Sequence, residues 1–149
     1  MDNATPEAAS IALLTQQLLN EFTYDVDVNE SKTVTSFYTV DGSVNLAMGV
    51  YNGHAEIRKY YDEFGKMTAG RTARHTFMNF RFYIESATQA VVNFVSIYYS
   101  GPGAPPVTDF TGPSVVSDCR VTCKREADGK WRIFEFHARP IFRRVAPAK

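Results

Sequence analysis

The sequence predicts an α+β fold, with helices packed on one side of a curved antiparallel sheet. Three observations lead there. Apolar residues recur at helical spacing as far as Phe64. From Arg74 onward the pattern becomes strand-like and rich in Phe, Tyr and Val. Helices come first and strands follow, which separates this plan from an alternating α/β chain.

Thr5-Pro6-Glu7 reads as a helix start: a capping hydroxyl, a Pro whose missing N–H costs nothing there, and an acid at the positive helix end. Ile11, Leu14, Leu18 and Phe22, widened by Leu13 and Leu19, carry that helix from about residue 6 to 25. Asn29-Glu30 caps a second, shorter helix with Val34 and Phe37, and Asp41-Gly42 makes a turn. A short strand, Val44 to Met48, follows. A third helix after Asn52-Gly53 bears the stripe Ile57, Tyr60, Tyr61 and Phe64. Long strands are expected over 73–85, 89–100 and 115–126. After the Asp128-Gly129 hairpin turn comes a last strand from Trp131 to Arg139, stopped by Pro140. The Gly- and Pro-rich segment 101–113 is longer than a hairpin needs.

The 149 residues suffice for one domain with its own core. We take 1–149 as a single domain, its core at about 8–140 and a tail at 141–149. Ile141, Phe142 and Val145 in that tail are expected to pack across an interface between copies. Sixteen basic residues balance sixteen acidic ones, which argues against nucleic acid as a partner. No stretch reaches the length of a membrane span, and the N-terminus lacks the basic start of a secretory signal. Cys119 and Cys123 on one strand lie roughly 13 Å apart, too far for a disulfide. A reducing, cytoplasmic setting fits best. No metal site and no cofactor motif stands in the sequence.

Strand parity places His75, Phe77, Asn79 and Arg81 on one face of the first long strand, with Met78, Phe80 and Phe82 on the other. An imidazole, a ring and an amide on a face covered by helices suit a small-molecule cavity. Asp25 and Asp27, at the end of the first helix, are the carboxylates able to pair with such an imidazole. Glu135 and His137 share a face of the last strand. Asp118 and Arg120 fall with Lys124 on the outer face.

The succession Phe22-Thr-Tyr-Asp-Val-Asp27, Phe37-Tyr-Thr-Val-Asp41-Gly42, Gly53-His-Ala-Glu-Ile57-Arg58-Lys-Tyr-Tyr, Arg74-His75-Thr-Phe-Met-Asn79-Phe and Gly129-Lys-Trp131-Arg132-Ile133 resembles the SnoaL-like group of the nuclear transport factor 2-like superfamily. Polyketide cyclases, scytalone dehydratase and a dehydrochlorinase are relatives. The resemblance implies a cystatin-like, cone-shaped α+β barrel: three N-terminal helices on a strongly curved antiparallel sheet. It also implies a homodimer or homotrimer. In the dehydratase branch a strand His acts as base and an Asp at the end of the first helix orients it. His75 and Asp27 match those positions, and Asp25 does not.

The physical logic is independent of the family. A neutral imidazole takes a proton near neutral pH. A carboxylate on its far nitrogen fixes the tautomer and stabilises the imidazolium. Tyr24, Tyr38, Tyr51 and Asn79 are candidate donors to a substrate carbonyl. Phe77, Glu135 and His137 complete the expected substrate-binding set. Val26 replaces the Tyr that precedes the dehydratase Asp, and Glu135 replaces the dehydrochlorinase Arg, so neither relative's own reaction is expected. The short strand Val44-Asn-Leu-Ala-Met48 lacks the acid of a ketosteroid isomerase. The function expected is a cofactor-independent lyase or isomerase, dehydratase- or cyclase-like, acting on a cyclic, mostly apolar substrate. The alternative is a non-catalytic ligand-binding or dimerising module of the same fold.

Overall fold

The computed structural model describes residues 5–108 and 110–144. The long helix α1 (Pro6–Asp27) begins where its cap predicts, with Thr5 Oγ1 accepting from the Ala8 N–H at 3.1 Å. Its buried stripe is Ala8, Ile11, Thr15, Leu19 and Phe22. Leu13 and Leu14, expected inside, are exposed. Thr15 takes the core position instead, because its hydroxyl is satisfied by the Ile11 carbonyl at 2.9 Å.

The expected barrel with three N-terminal helices is overturned on three counts. The first is helix number. The segment after α1 forms only a 3₁₀ turn, Val34–Phe37. Glu30 and Ser31 both adopt φ 56°, a left-handed conformation that ends helical propagation. Asp25 then takes the Thr33 N–H and hydroxyl into its carboxylate. The next helix, α2 (Gly53–Met67), is the second and last among the described residues.

The second count is strand direction. A hairpin of β1 (Tyr38–Leu46) and β2 (Gly49–Asn52) precedes α2. After α2 come β3 (Arg71–Ser86), β4 (Gln89–Pro102), β5 (Val115–Arg125) and β6 (Trp131–Arg143). The last four form an antiparallel meander. β1, however, pairs with β6 in parallel, with Ser43 opposite Glu135 and Asn45 opposite His137. The sheet is therefore mixed. Alternation along a strand reports its faces and says nothing of its neighbour's direction.

The third count is closure. The strand order is β2-β1-β6-β5-β4-β3. β2 and β3 are free edges, so the sheet stays open and is neither a barrel nor strongly curved.

Local irregularities also move side chains. Between Met78 and Arg81 β3 carries one more residue than β4, and Asn79 sits at φ 58°. This bulge reverses the parity beyond it. Phe80 and Phe82 turn inward, Phe80 reaching Phe94 at 5.4 Å between ring centroids. Asn79 turns out to solvent. Pro140 does not stop β6; it sits opposite Ser117 at a second irregularity, where a missing N–H is tolerated.

The core lies between α1, α2 and one sheet face. Phe22 is its hub, in ring contact with Phe37, Tyr38, Tyr61 and Phe136. Among the described residues no helix is long and apolar enough to cross a membrane. Val145, assigned above to an interface, lies outside the described residues.

Candidate active site

α1 ends against β3, and that junction brings Asp27 to His75. The imidazole Nδ1 lies 2.7 Å from Asp27 Oδ1, and the His75 backbone N–H donates to Oδ2 at 2.5 Å. An ionised carboxylate only accepts, so Nδ1 carries the proton and Nε2 keeps its lone pair. The Asp27 side chain is 3% exposed and that of His75 23%. A carboxylate at the negative end of a helix is electrostatically disfavoured. Here two donors from β3 offset that cost. Arg74 adds a third tie, donating from Nη1 to the Asp27 carbonyl at 3.3 Å.

The imidazole lies among rings. Tyr98 is 4.5 Å away between centroids, Phe77 6.4 Å and Phe64 6.5 Å. These residues line a cavity of about 200 Å³ between α1, α2 and the sheet. Its walls are chiefly apolar, with Phe22, Tyr60, Tyr61 and Phe136 among them. Ser96 and Ser117 supply polar atoms inside it, and Met48, Pro140 and Arg143 also line it. A second depression reaches the same pair from the other side, between Asn20, Tyr24 and Arg74. His75 thus separates a ring-lined interior from a polar outer recess.

Burial drives the phenol chemistry of this region. Desolvation pushes the Tyr60 pKa up to about 12, helped by the neighbouring Tyr51 and Tyr98 phenols. Tyr38 and Tyr61 are raised further by the same cause. All three are neutral donors at physiological pH. Burial likewise pushes the thiols of Cys119 and Cys123 up to about 12, so neither is a nucleophile. Both are free. Among the described residues no group of three His, Cys, Asp or Glu side chains could hold a metal.

Of the residues singled out in the sequence, His75, Asp27 and Phe77 come together. His75 and Phe77 line the cavity, Asp27 holds the imidazole from the outer recess, and the others do not join them. Tyr24 is 60% exposed and lines only the outer recess. Tyr38 is fully buried in the core below, its hydroxyl sealed from solvent beside the Tyr61 phenol. Tyr51 packs on Tyr60 at 4.7 Å, behind the wall. Asn79 is turned away by the bulge. Glu135 and His137 pair with each other at 2.7 Å, on the sheet face opposite to Phe136 and the cavity. Asp118 bonds Arg139 at 2.9 Å on that outer face.

Residues that the sequence reading missed are Ser96, Tyr98 and Ser117. Parity could have found them, since Ser96 and Tyr98 share a face with Phe94, and Ser117 with Cys119. Nothing in composition distinguishes a cavity-facing serine from one in a solvated strand.

Comparison with known proteins agrees with this architecture. The SnoaL-like domain family matches residues 14–137. Among solved structures, Aln2 from a Streptomyces species superposes with a TM-score of 0.77 at 12% identity, covering 91% of this chain and 92% of that one. ActVI-ORFA from Streptomyces coelicolor gives 0.75 at 13%, covering 89% and 98%. An NTF2-like protein with a cystatin-like fold from Novosphingobium aromaticivorans gives 0.74 at 18%, covering 95% and 92%. At such identities the likeness is one of fold. No curated protein matches the chain in sequence.

Proposed function

The chain belongs to the SnoaL-like family, and on that premise we propose that it is a lyase or isomerase that removes a proton from carbon, in the manner of a dehydratase or cyclase. One observation carries this reading: a carboxylate-held imidazole opens on a ring-lined, unfilled cavity. His75 Nε2 is the base and Asp27 is its orienting partner. The substrate is a cyclic, mostly apolar molecule, because the walls offer rings and few polar atoms. Polyketides, terpenoids, steroids and aromatic catabolites share that chemistry.

In a dehydration, Nε2 takes the proton from the carbon beside a carbonyl. The C–H electron pair passes into an enolate, and Asp27 stabilises the imidazolium. The imidazolium then returns its proton to the β-hydroxyl, the C–O bond breaks, and water leaves as the double bond forms. No step needs an oxidant or reductant.

The test uses a bicyclic ketone. The protein is incubated with 1-tetralone in D₂O, and loss of the C2 hydrogens is followed by NMR. We expect exchange well above buffer, reduced about 10²-fold or more in His75→Ala. Exchange at the buffer rate with the natural protein, or equal exchange by His75→Ala, overturns the reading. A non-catalytic binding module would then be the better description.

A further inference from the structure

Two serines interrupt the ring-lined wall, and the dehydration step above makes no use of them. Ser96 of β4 and Ser117 of β5 are direct partners across the strand pair. They are 8% and 7% exposed, and both line the cavity that holds His75. Directly opposed residues on one face hold their Cβ atoms about 5 Å apart, so the two hydroxyls stand side by side. Both residues line the cavity surface, where an O–H is open to a bound molecule. At wall positions that served packing alone, Ala or Val would suffice.

Their place relative to His75 follows from the register. His75 lies opposite Tyr98, and Phe77 lies opposite Ser96. The serine row is therefore about 7 Å along the strand from the imidazole row, and Ser96 is one strand over, about 5 Å. Side chains converging from both rows bracket a C–H and the oxygen of the carbonyl beside it. Three other polar groups of the wall are less suited. Tyr98 lies on the imidazole, with its phenol directed to Ser100, and the Tyr61 phenol faces Tyr38. The cation of the wall, Arg143, is exposed at the strand end, opposite Val115.

We propose that Ser96 and Ser117 form a neutral hydroxyl clamp for the carbonyl oxygen of a cyclic ketone. This deepens the reading of His75 as a base and rests on it for the chemical step. When Nε2 takes the adjacent proton, the C–H pair becomes the enolate double bond and the carbonyl π pair moves to oxygen. Both serine O–H groups then donate to that oxygen and keep their protons. Neutral donors suit a ketone and its enolate. The substrate class is therefore a ring ketone.

Binding measures the clamp separately from the base. Dissociation constants for 1-tetralone and for tetralin, the same skeleton without oxygen, are obtained by calorimetry. We expect the natural protein to prefer the ketone about tenfold. In the Ser96→Ala/Ser117→Ala double variant the ratio falls to about one, while tetralin binds as before, which shows an intact cavity. Ser96→Thr keeps a hydroxyl and retains part of the preference. His75→Ala retains the full preference, so failure of the base and failure of the clamp are told apart. An unchanged ratio in the double alanine variant, or no ketone preference in the natural protein, overturns the proposal.

Discussion

Asp27 grips His75 twice, through the imidazole Nδ1 at 2.7 Å and through the backbone N–H at 2.5 Å. The two donors use different carboxylate oxygens, so the last turn of α1 is pinned to β3 in one orientation. Orientation and electrostatics come from a single side chain. The same clamp explains why an acid is kept at a helix end that disfavours it.

Asp27→Asn is expected to silence the base without unfolding the protein. The backbone N–H of His75 is a fixed donor, so the new amide must turn its oxygen toward it. Its NH₂ group then faces Nδ1 and forces the proton onto Nε2, on the cavity side. Deuterium exchange into 1-tetralone should fall about 10²-fold or more. A ¹⁵N NMR spectrum should show the switched tautomer, and an unswitched ring with full exchange contradicts the assignment.

Asp25 should behave oppositely. It is buried, and its carboxylate accepts from Asn29 Nδ2 at 2.7 Å, Thr33 Oγ1 at 2.7 Å and the Thr33 N–H at 3.2 Å. Asp25→Ala removes the acceptor and strands those donors, at a cost of about 2–4 kcal/mol. Denaturant unfolding should register that loss. The exchange rate per folded molecule should stay within about twofold, since this carboxylate does not touch the imidazole.

Glu135 and His137 provide the control on the far face. Their side chains are partly exposed, and such pairs contribute about 0–1 kcal/mol. His137→Gln and Glu135→Gln should leave both ketone binding and exchange unchanged. A large kinetic effect from either would place the chemistry on the wrong side of the sheet.

Alkaline pH should undo the core. The thiols of Cys119 and Cys123 titrate near 9 when free and about 12 when folded; for the Tyr60 phenol the change is from 10 to about 12. Between those limits the unfolded chain has lost protons that the folded one keeps, so stability falls as pH rises. The contribution is complete below pH 9 and gone above about 12. Thermal melts should decline across that window. Cys123→Val, lacking the ionisable group, should flatten the decline, and an identical slope would refute the cause given.

α1, α2 and the four long strands were legible because each rests on short-range rules. Thr5 and Pro6 start α1 by capping, the α2 stripe follows a 3.6-residue period, and His75 and Phe77 share a strand face by alternation. The partnership of Asp27 with His75, 48 positions apart, came from family resemblance, because spacing alone does not join a helix end to a distant strand.

What only the tertiary structure decided concerns pairing and irregularity. One extra residue near Asn79 reverses a face, which no alternation pattern reveals in advance. Left-handed backbone at Glu30 and Ser31, locked by Asp25, replaces an expected helix with a single turn. The parallel run of β1 beside β6 and the free edges at β2 and β3 are choices of neighbour. Such choices depend on backbone hydrogen bonds common to every residue, whereas side-chain order along the chain records only which face is buried.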